Sequence, residues 1–199
     1  MKALEEPNLN TYFILITHQL SNLLPTLRSR CIKFYIEKPT LNQFTQIFNY
    51  NNKIKKIYDF DFLYHLSNSS PGLALEIISE NINQLYESVI KILHINESLS
   101  TEVISLANLL GSYSNEKFKI FLLILRFILM TIIKINLGFN FKNDFYSTFY
   151  DFINNKNIQI ENSTSLEILE FLNNNEIDLF VYNLDKKIFS LNIFASLNR

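Results

Sequence analysis

The stretch Ile120 to Ile133 constrains this chain more than any other. It is mostly apolar, Arg126 interrupts it, and Lys119 and Lys134 flank it. A helix that crosses a membrane needs about 20 mostly apolar residues. This run is shorter than that and carries a guanidinium, so it is expected to form a helix buried inside a protein core. The rest of the chain has material for such a core. Of its 199 residues, 48% are hydrophobic, and 18 Phe and 10 Tyr supply more apolar surface than a disordered chain leaves in water. The length suits one large domain or two small ones.

Helical periodicity dominates from Pro39 onward. Leu41, Phe44, Ile47 and Phe48 recur at helical spacing, with Thr40 as a suitable N-cap. Tyr58 to Leu66 reads as a second helix. Ser69-Ser70-Pro71-Gly72 is a break before a third, Leu73 to Ile82. Further helices are expected at Leu85–Ile95, Ser100–Leu110, Glu116–Leu137, Asp144–Ile153, Ser165–Leu184 and Lys186–Leu197. Gly111 and Gly138 fall at expected helix ends, where glycine tolerates a left-handed cap. Two segments near the start read differently. Tyr12 to Thr17 is a continuous apolar run rich in aromatic and β-branched residues, as in a buried parallel strand. Cys31 to Ile36 alternates and stops before Pro39, which predicts a second strand. Pro25 between them suits the first turn of a short helix over Thr26 to Ser29.

The net charge is −1, unevenly spread: residues 1–60 carry eight Lys/Arg against four Asp/Glu, and the remainder reverses the balance. A basic front of this size suits a solvated surface or a face toward phosphate. The one cysteine, Cys31, allows no internal disulfide and no cysteine-rich zinc site, which fits a reducing, cytoplasmic setting. Nothing at Met1 to Glu6 has a secretory pattern. The frequent Asn residues read as a codon bias, not as a binding code. Little chemistry is available to the chain alone. Its three glycines form no GxxxxGK[ST] loop, so no backbone cradle for a triphosphate exists within it. His18, His65 and His94 lack metal-ligand spacing, so no metal site is expected. Cys31 suits packing better than nucleophilic work.

One ordered set of motifs stands out: Leu4-Glu5-Glu6-Pro7, then Phe13-Ile14-Leu15-Ile16-Thr17, then Leu24-Pro25-Thr26-Leu27-Arg28-Ser29-Arg30-Cys31. In order and spacing it resembles the clamp-loader branch of the AAA+ ATPases. Ser67 to Glu76, with its Ser-Pro-Gly step, is similar to the start of the last lid helix in the delta-prime family of bacterial DNA polymerase III, and favours it over gamma/tau. Asn183-Leu184-Asp185-Lys186-Lys187 is similar to a segment in that family's last helices.

The resemblance implies a mainly α fold. Residues 1–38 would be a remnant of an AAA+ α/β module with two short strands, 39–84 a small helical lid, and 85–199 an all-α collar for oligomerisation. It makes Arg30 an arginine finger acting in trans, within a Ser29-Arg30-Cys31 motif. A guanidinium stays charged and presents a planar fork that matches phosphate oxygens. Arg28 becomes a second phosphate or interface contact, and Lys33 a solvated or interfacial residue. Thr17 takes the sensor-1 position with no ATP of its own to sense. Leu73 replaces the sensor-2 arginine and cannot pair with phosphate. The implied chain binds no cofactor itself, with ATP-Mg on a neighbouring subunit. It joins gamma/tau and delta subunits to load a sliding clamp on primed DNA during DNA replication, with no membrane involved, and is not an enzyme alone. The family's central phosphate-loop strand and upstream zinc module are absent, which implies an N-terminally truncated module: a split-gene product, a mis-started frame or a degenerate fragment. Two other readings remain open: a truncated gamma/tau-like ATPase subunit, and a helical scaffold unrelated to replication.

Overall fold

The structure, a computed structural model, describes residues 10–17, 20–50, 60–80, 82–94, 100–139 and 160–197. Leu4 to Pro7, His18 and the helix expected at Asp144–Ile153 lie outside the described residues. The chain divides into two compact units, residues 1–37 and 38–199.

Within the first unit, the described residues form one 3-10 turn, Leu20–Asn22, and one short helix, α1 (Pro25–Arg28). Pro25 occupies the first turn, as the sequence predicts. The two expected strands are not formed: Tyr12 to Thr17 and Ile32 to Ile36 carry no strand pairing. A strand exists only as a hydrogen-bonded partner of another, so local β propensity does not suffice. The first segment still shows an alternation. Phe13 and Leu15 are 47% and 44% exposed, whereas Tyr12, Ile14 and Ile16 are 90%, 87% and 88% exposed.

The second unit is helical throughout its described residues. Its elements are α2 (Leu41–Tyr50), α3 (Phe60–Leu66), α4 (Pro71–Ser79), α5 (Ile82–His94), α6 (Thr101–Gly111), α7 (Asn115–Asn136), α8 (Asn162–Val181) and α9 (Lys186–Leu197). Most match the helices expected from periodicity to within a few residues. The starts of α2, α4, α6, α7 and α9 are set by side-chain caps. Thr40 and Gln43 form a reciprocal capping box, the Gln43 amide donating to Thr40 Oγ1 at 3.4 Å and the Thr40 amide to Gln43 Oε1 at 2.9 Å. Ser70, Ser100 and Ser114 accept from the amides of Leu73, Val103 and Lys117. Asp185 accepts from Lys187 and Ile188, opening α9.

Three helices end in the same way. Asn68, Gly138 and Asn183 have φ values of 51°, 73° and 51°. The next amide in each case reaches back: Ser69 to Tyr64, Phe139 to Lys134 and Leu184 to Leu179. These are Schellman caps. Gly138 thus serves the role expected of it, and two asparagines do the same work. Gly111 does not. A Cβ there would lie 3.1 Å from Lys187 Cβ, so this glycine permits close approach of α6 and α9.

The helices α2, α3 and α4 pack on one another, and Phe44 and Phe48 of α2 meet Tyr64 and Phe60 of α3 in edge-on and tilted ring contacts. The helix α7 packs against α3, α5 and α8, and α9 packs against α6 and α8. Burial runs around much of the circumference of α7, with Phe118, Phe121, Leu122, Ile124, Leu125 and Ile128 fully buried. The apolar run that opens the sequence argument is therefore a core helix. No helix among the described residues is long and apolar enough to cross a membrane. Burial also pushes up the Tyr86 phenol, whose ring packs edge-on against Phe62.

Phe121 is fully buried against Phe118. Phe121→Ala should cost about 3–5 kcal/mol in a urea unfolding curve, whereas Gly138→Ala, which strains a left-handed residue, should cost about 1–2 kcal/mol. The Glu116 carboxyl is held below its ordinary range, first by a backbone amide and then by the Ser114 hydroxyl. That small contribution is present above the carboxylate range and is lost as pH falls through the lowered pKa. Removing the hydroxyl with Ser114→Ala should raise the Glu116 pKa in an NMR titration and weaken the start of α7.

Candidate functional site

The site is built at the end of α1. The amides of Leu27 and Arg28 donate to Leu24 O at 3.0 and 3.1 Å, and Ser29 donates to Pro25 O at 3.0 Å. The Ser29 hydroxyl turns back to Thr26 O at 3.1 Å. The Arg30 amide donates to Leu27 O at 3.2 Å, which closes the last turn. Pro25 fixes the helix start because its ring holds φ in the helical range. Four residues with no buried side chain among them make this turn, so local hydrogen bonds alone define it.

Ser29 and Arg30 are exposed, and Cys31 is a half-buried free thiol. Arg28 is half-buried, and its Nε–H is buried without a hydrogen-bond acceptor. Ser29, Arg30 and Cys31 thus follow directly on a helix C-terminus, with Arg30 on the surface. Thr17 is exposed and lies outside any strand, so the sensor-1 strand expected to carry it is not formed.

Leu73 belongs to the second unit. It sits in the first turn of α4, where its amide is capped by the Ser70 hydroxyl, and its side chain packs partly buried against the core. It is an apolar packing residue. No cluster of His, Cys, Asp and Glu among the described residues could hold a metal. His65 lies 3.4 Å from Asp61, one helical turn away.

Sequence reasoning missed a second polar constellation. Arg126, read only as an interruption of an apolar run, donates to Asn173 Oδ1 at 3.0 Å and pairs with Glu176. Its partners are nearly 50 residues away, and no local pattern announces them. Arg126 also lines an open cleft of about 340 Å³ with His65, Asn68, Phe127, Met130 and Lys134.

With this geometry in place, the comparisons with known proteins are informative. Residues 1–40 match the family described as DNA polymerase III, delta subunit. The matched segment carries Thr17 and Arg28 to Cys31. Among curated proteins, the chain is 54% identical over 39 residues to DNA polymerase III subunit delta′ of Yersinia pestis. The match covers 20% of this chain and 12% of that protein. It is 54% identical over 33 residues to DNA polymerase III subunit delta′ of Pseudomonas aeruginosa, covering 17% and 10%. Through its first 40 residues the chain is related to the delta-prime subunits of DNA polymerase III. The matches span about a tenth of the length of these relatives. No solved structure matches the chain. Ser67 to Glu76 and Asn183 to Leu191 lie outside the family match.

Cys31 is the single cysteine and is half-buried. Ellman's reagent should therefore titrate one thiol per native chain without denaturant, and more slowly than in urea. A thiol silent until unfolding would show that the end of α1 is enclosed.

Proposed function

We propose that this chain acts as a delta-prime-type subunit of the clamp loader that places a ring-shaped sliding clamp on primed DNA. In this reading it hydrolyses nothing itself. It offers Arg30 to ATP-Mg held by an adjacent gamma/tau subunit, and residues 85–199 provide the collar that joins it to gamma/tau and delta. The observation that carries the reading is the family match over residues 1–40, which includes Ser29-Arg30-Cys31. The exposure of Arg30 at the end of a helical turn supports it, because a finger that acts in trans must be reachable from outside the chain.

The chemistry asked of Arg30 is electrostatic. Charge grows on the phosphoryl oxygens as the terminal phosphate leaves, and a guanidinium placed beside them lowers the barrier without exchanging a proton. Arg28, half-buried, sits two residues before it and supplies a second contact to phosphate or to the neighbouring subunit through the accessible part of its guanidinium.

The test is reconstitution with gamma/tau, delta, the sliding clamp and primed DNA. The chain should enter the complex, and Arg30→Ala should enter it equally well. DNA-stimulated ATP hydrolysis should then fall at least about tenfold, a conservative loss for an arginine finger. Full hydrolysis by a complex shown to contain the variant would remove the finger role. Failure of the wild-type chain to join gamma/tau and delta would remove the subunit assignment.

A further inference from the structure

The helix α7 is enclosed along most of its length, and the exception is local. From Ile120 to Ile132, Met130 is the one exposed residue, and Leu123, Arg126 and Phe127 are the half-buried ones. All four line the open cleft of about 340 Å³, which His65 and Asn68 line from the end of α3. The opening in the packing of α7 and the cleft are therefore one feature. Its volume lies at the lower end of the range for small-molecule sites, which combine an apolar surface with a few fixed polar groups.

We propose that this cleft binds a small phosphate monoester, its phosphate held by His65, Arg126 and Lys134 and its organic part laid on Phe127 and Met130. Three basic side chains line the cleft, and no carboxylate does among the described residues. The whole chain has a net charge of −1, so a concentration of cations here does not follow from composition. Two of the three are set in place: Arg126 is held by Asn173 and Glu176, and His65 lies 3.4 Å from Asp61. Those carboxylates offset part of the charge. Lys134 is half-buried and pairs with no carboxylate among the described residues, so its charge is not offset. Asn68 adds a neutral donor. Its Oδ1 accepts from Lys38 Nζ at 2.8 Å, and a lysine only donates, so the amide nitrogen is the group left to donate to a ligand. A phosphate monoester carries about two negative charges near neutral pH and accepts through three terminal oxygens, which suits one full cation beside two partly offset ones. Below it, Phe127 is held edge-on by Phe62, with ring centroids 5.9 Å apart, and the flexible Met130 thioether adapts to what lies on it.

Lys134 also stands in the last turn of α7, where a cation complements the helix carbonyls. That role needs no ligand, so binding measurements separate the two. All of these residues belong to the second unit, so binding here stands apart from the clamp-loader reading, which rests on residues 1–40.

The experiment is a titration of the full, isotope-labelled chain with phenyl phosphate, followed by amide chemical shifts, with phenol and benzoate as companion probes. Phenyl phosphate should saturate with a Kd of about 1 mM or below, with shifts centred on the end of α3 and the C-terminal half of α7. Phenol should not saturate, and benzoate should bind at least about fivefold more weakly. Lys134→Gln should weaken phenyl phosphate binding about tenfold. Met130→Glu sets a carboxylate at an exposed position of the cleft and should weaken it at least about tenfold. Lys91→Gln, which removes an exposed cation outside the cleft, should change nothing. Circular dichroism should show the same helix content in all three variants, and the exposed Met130 position keeps the test decisive if Lys134→Gln disturbs the fold. No saturation by about 20 mM phenyl phosphate overturns the proposal. So does full affinity in either folded cleft variant, and so does phenol or benzoate binding as tightly as the phosphate.

Discussion

The second unit depends on burying α7 on more than one side. A helix packed against α3, α5 and α8 has little solvent face left, so its one internal arginine has to be accommodated within the packing. Arg126 reaches Asn173 and Glu176 on α8 to do so. The pair is partly exposed, with 27% and 29% of the two side chains accessible, so its net contribution is modest, about 0–1 kcal/mol. Its larger effect is on position. A guanidinium left among Leu123, Phe127 and Met130 without an acceptor would oppose the packing of α7, so the acceptors on α8 help fix which face of α8 turns inward. The aromatic contacts of Phe118 with Phe180 and Phe189 then join α7 to both α8 and α9.

The ends of the helices explain how such a bundle is connected with few glycines. Left-handed residues are needed wherever a Schellman cap turns the chain, and only three glycines exist in the whole sequence. Asn68 and Asn183 supply two of those turns, since asparagine tolerates that conformation better than other residues with a side chain. The abundance of asparagine, which carries no information as composition, thus acquires a conformational use at these two positions. Gly111 shows the reverse. Its place at a helix end suggests a cap, but its lack of a side chain is used for contact with Lys187 across to α9.

What was legible in the sequence follows from the range of the interaction involved. Helices were readable because the 3.6-residue pattern and the Ser, Thr and Asp caps act within one turn. The α1 turn and its Ser29-Arg30-Cys31 exit were readable for the same reason, since Pro25 and a few backbone hydrogen bonds define them. The strands expected at Tyr12 to Thr17 and Cys31 to Ile36 were misjudged because a strand is a property of a pair. Sequence alternation shows which face a strand would bury, but it does not supply the neighbour. The Arg126 network was invisible for a related reason, its partners lying nearly 50 residues away on another helix.

The two units differ in what sustains them, and that bears on how Arg30 acts. Residues 38–199 hold the hydrophobic core, whereas the described part of the segment matching the DNA polymerase III family holds only short turns and no fully buried side chain. A helix of four residues is far below the length at which helix formation is favourable on its own. No buried side chain in α1 ties that turn into a core. A group that must meet a phosphate within hydrogen-bonding distance needs its direction fixed, because misplacement by about 1 Å is costly. In the arginine-finger reading, docking against the neighbouring subunit would add the packing that α1 lacks, so the turn before Arg30 would be held as part of a larger unit.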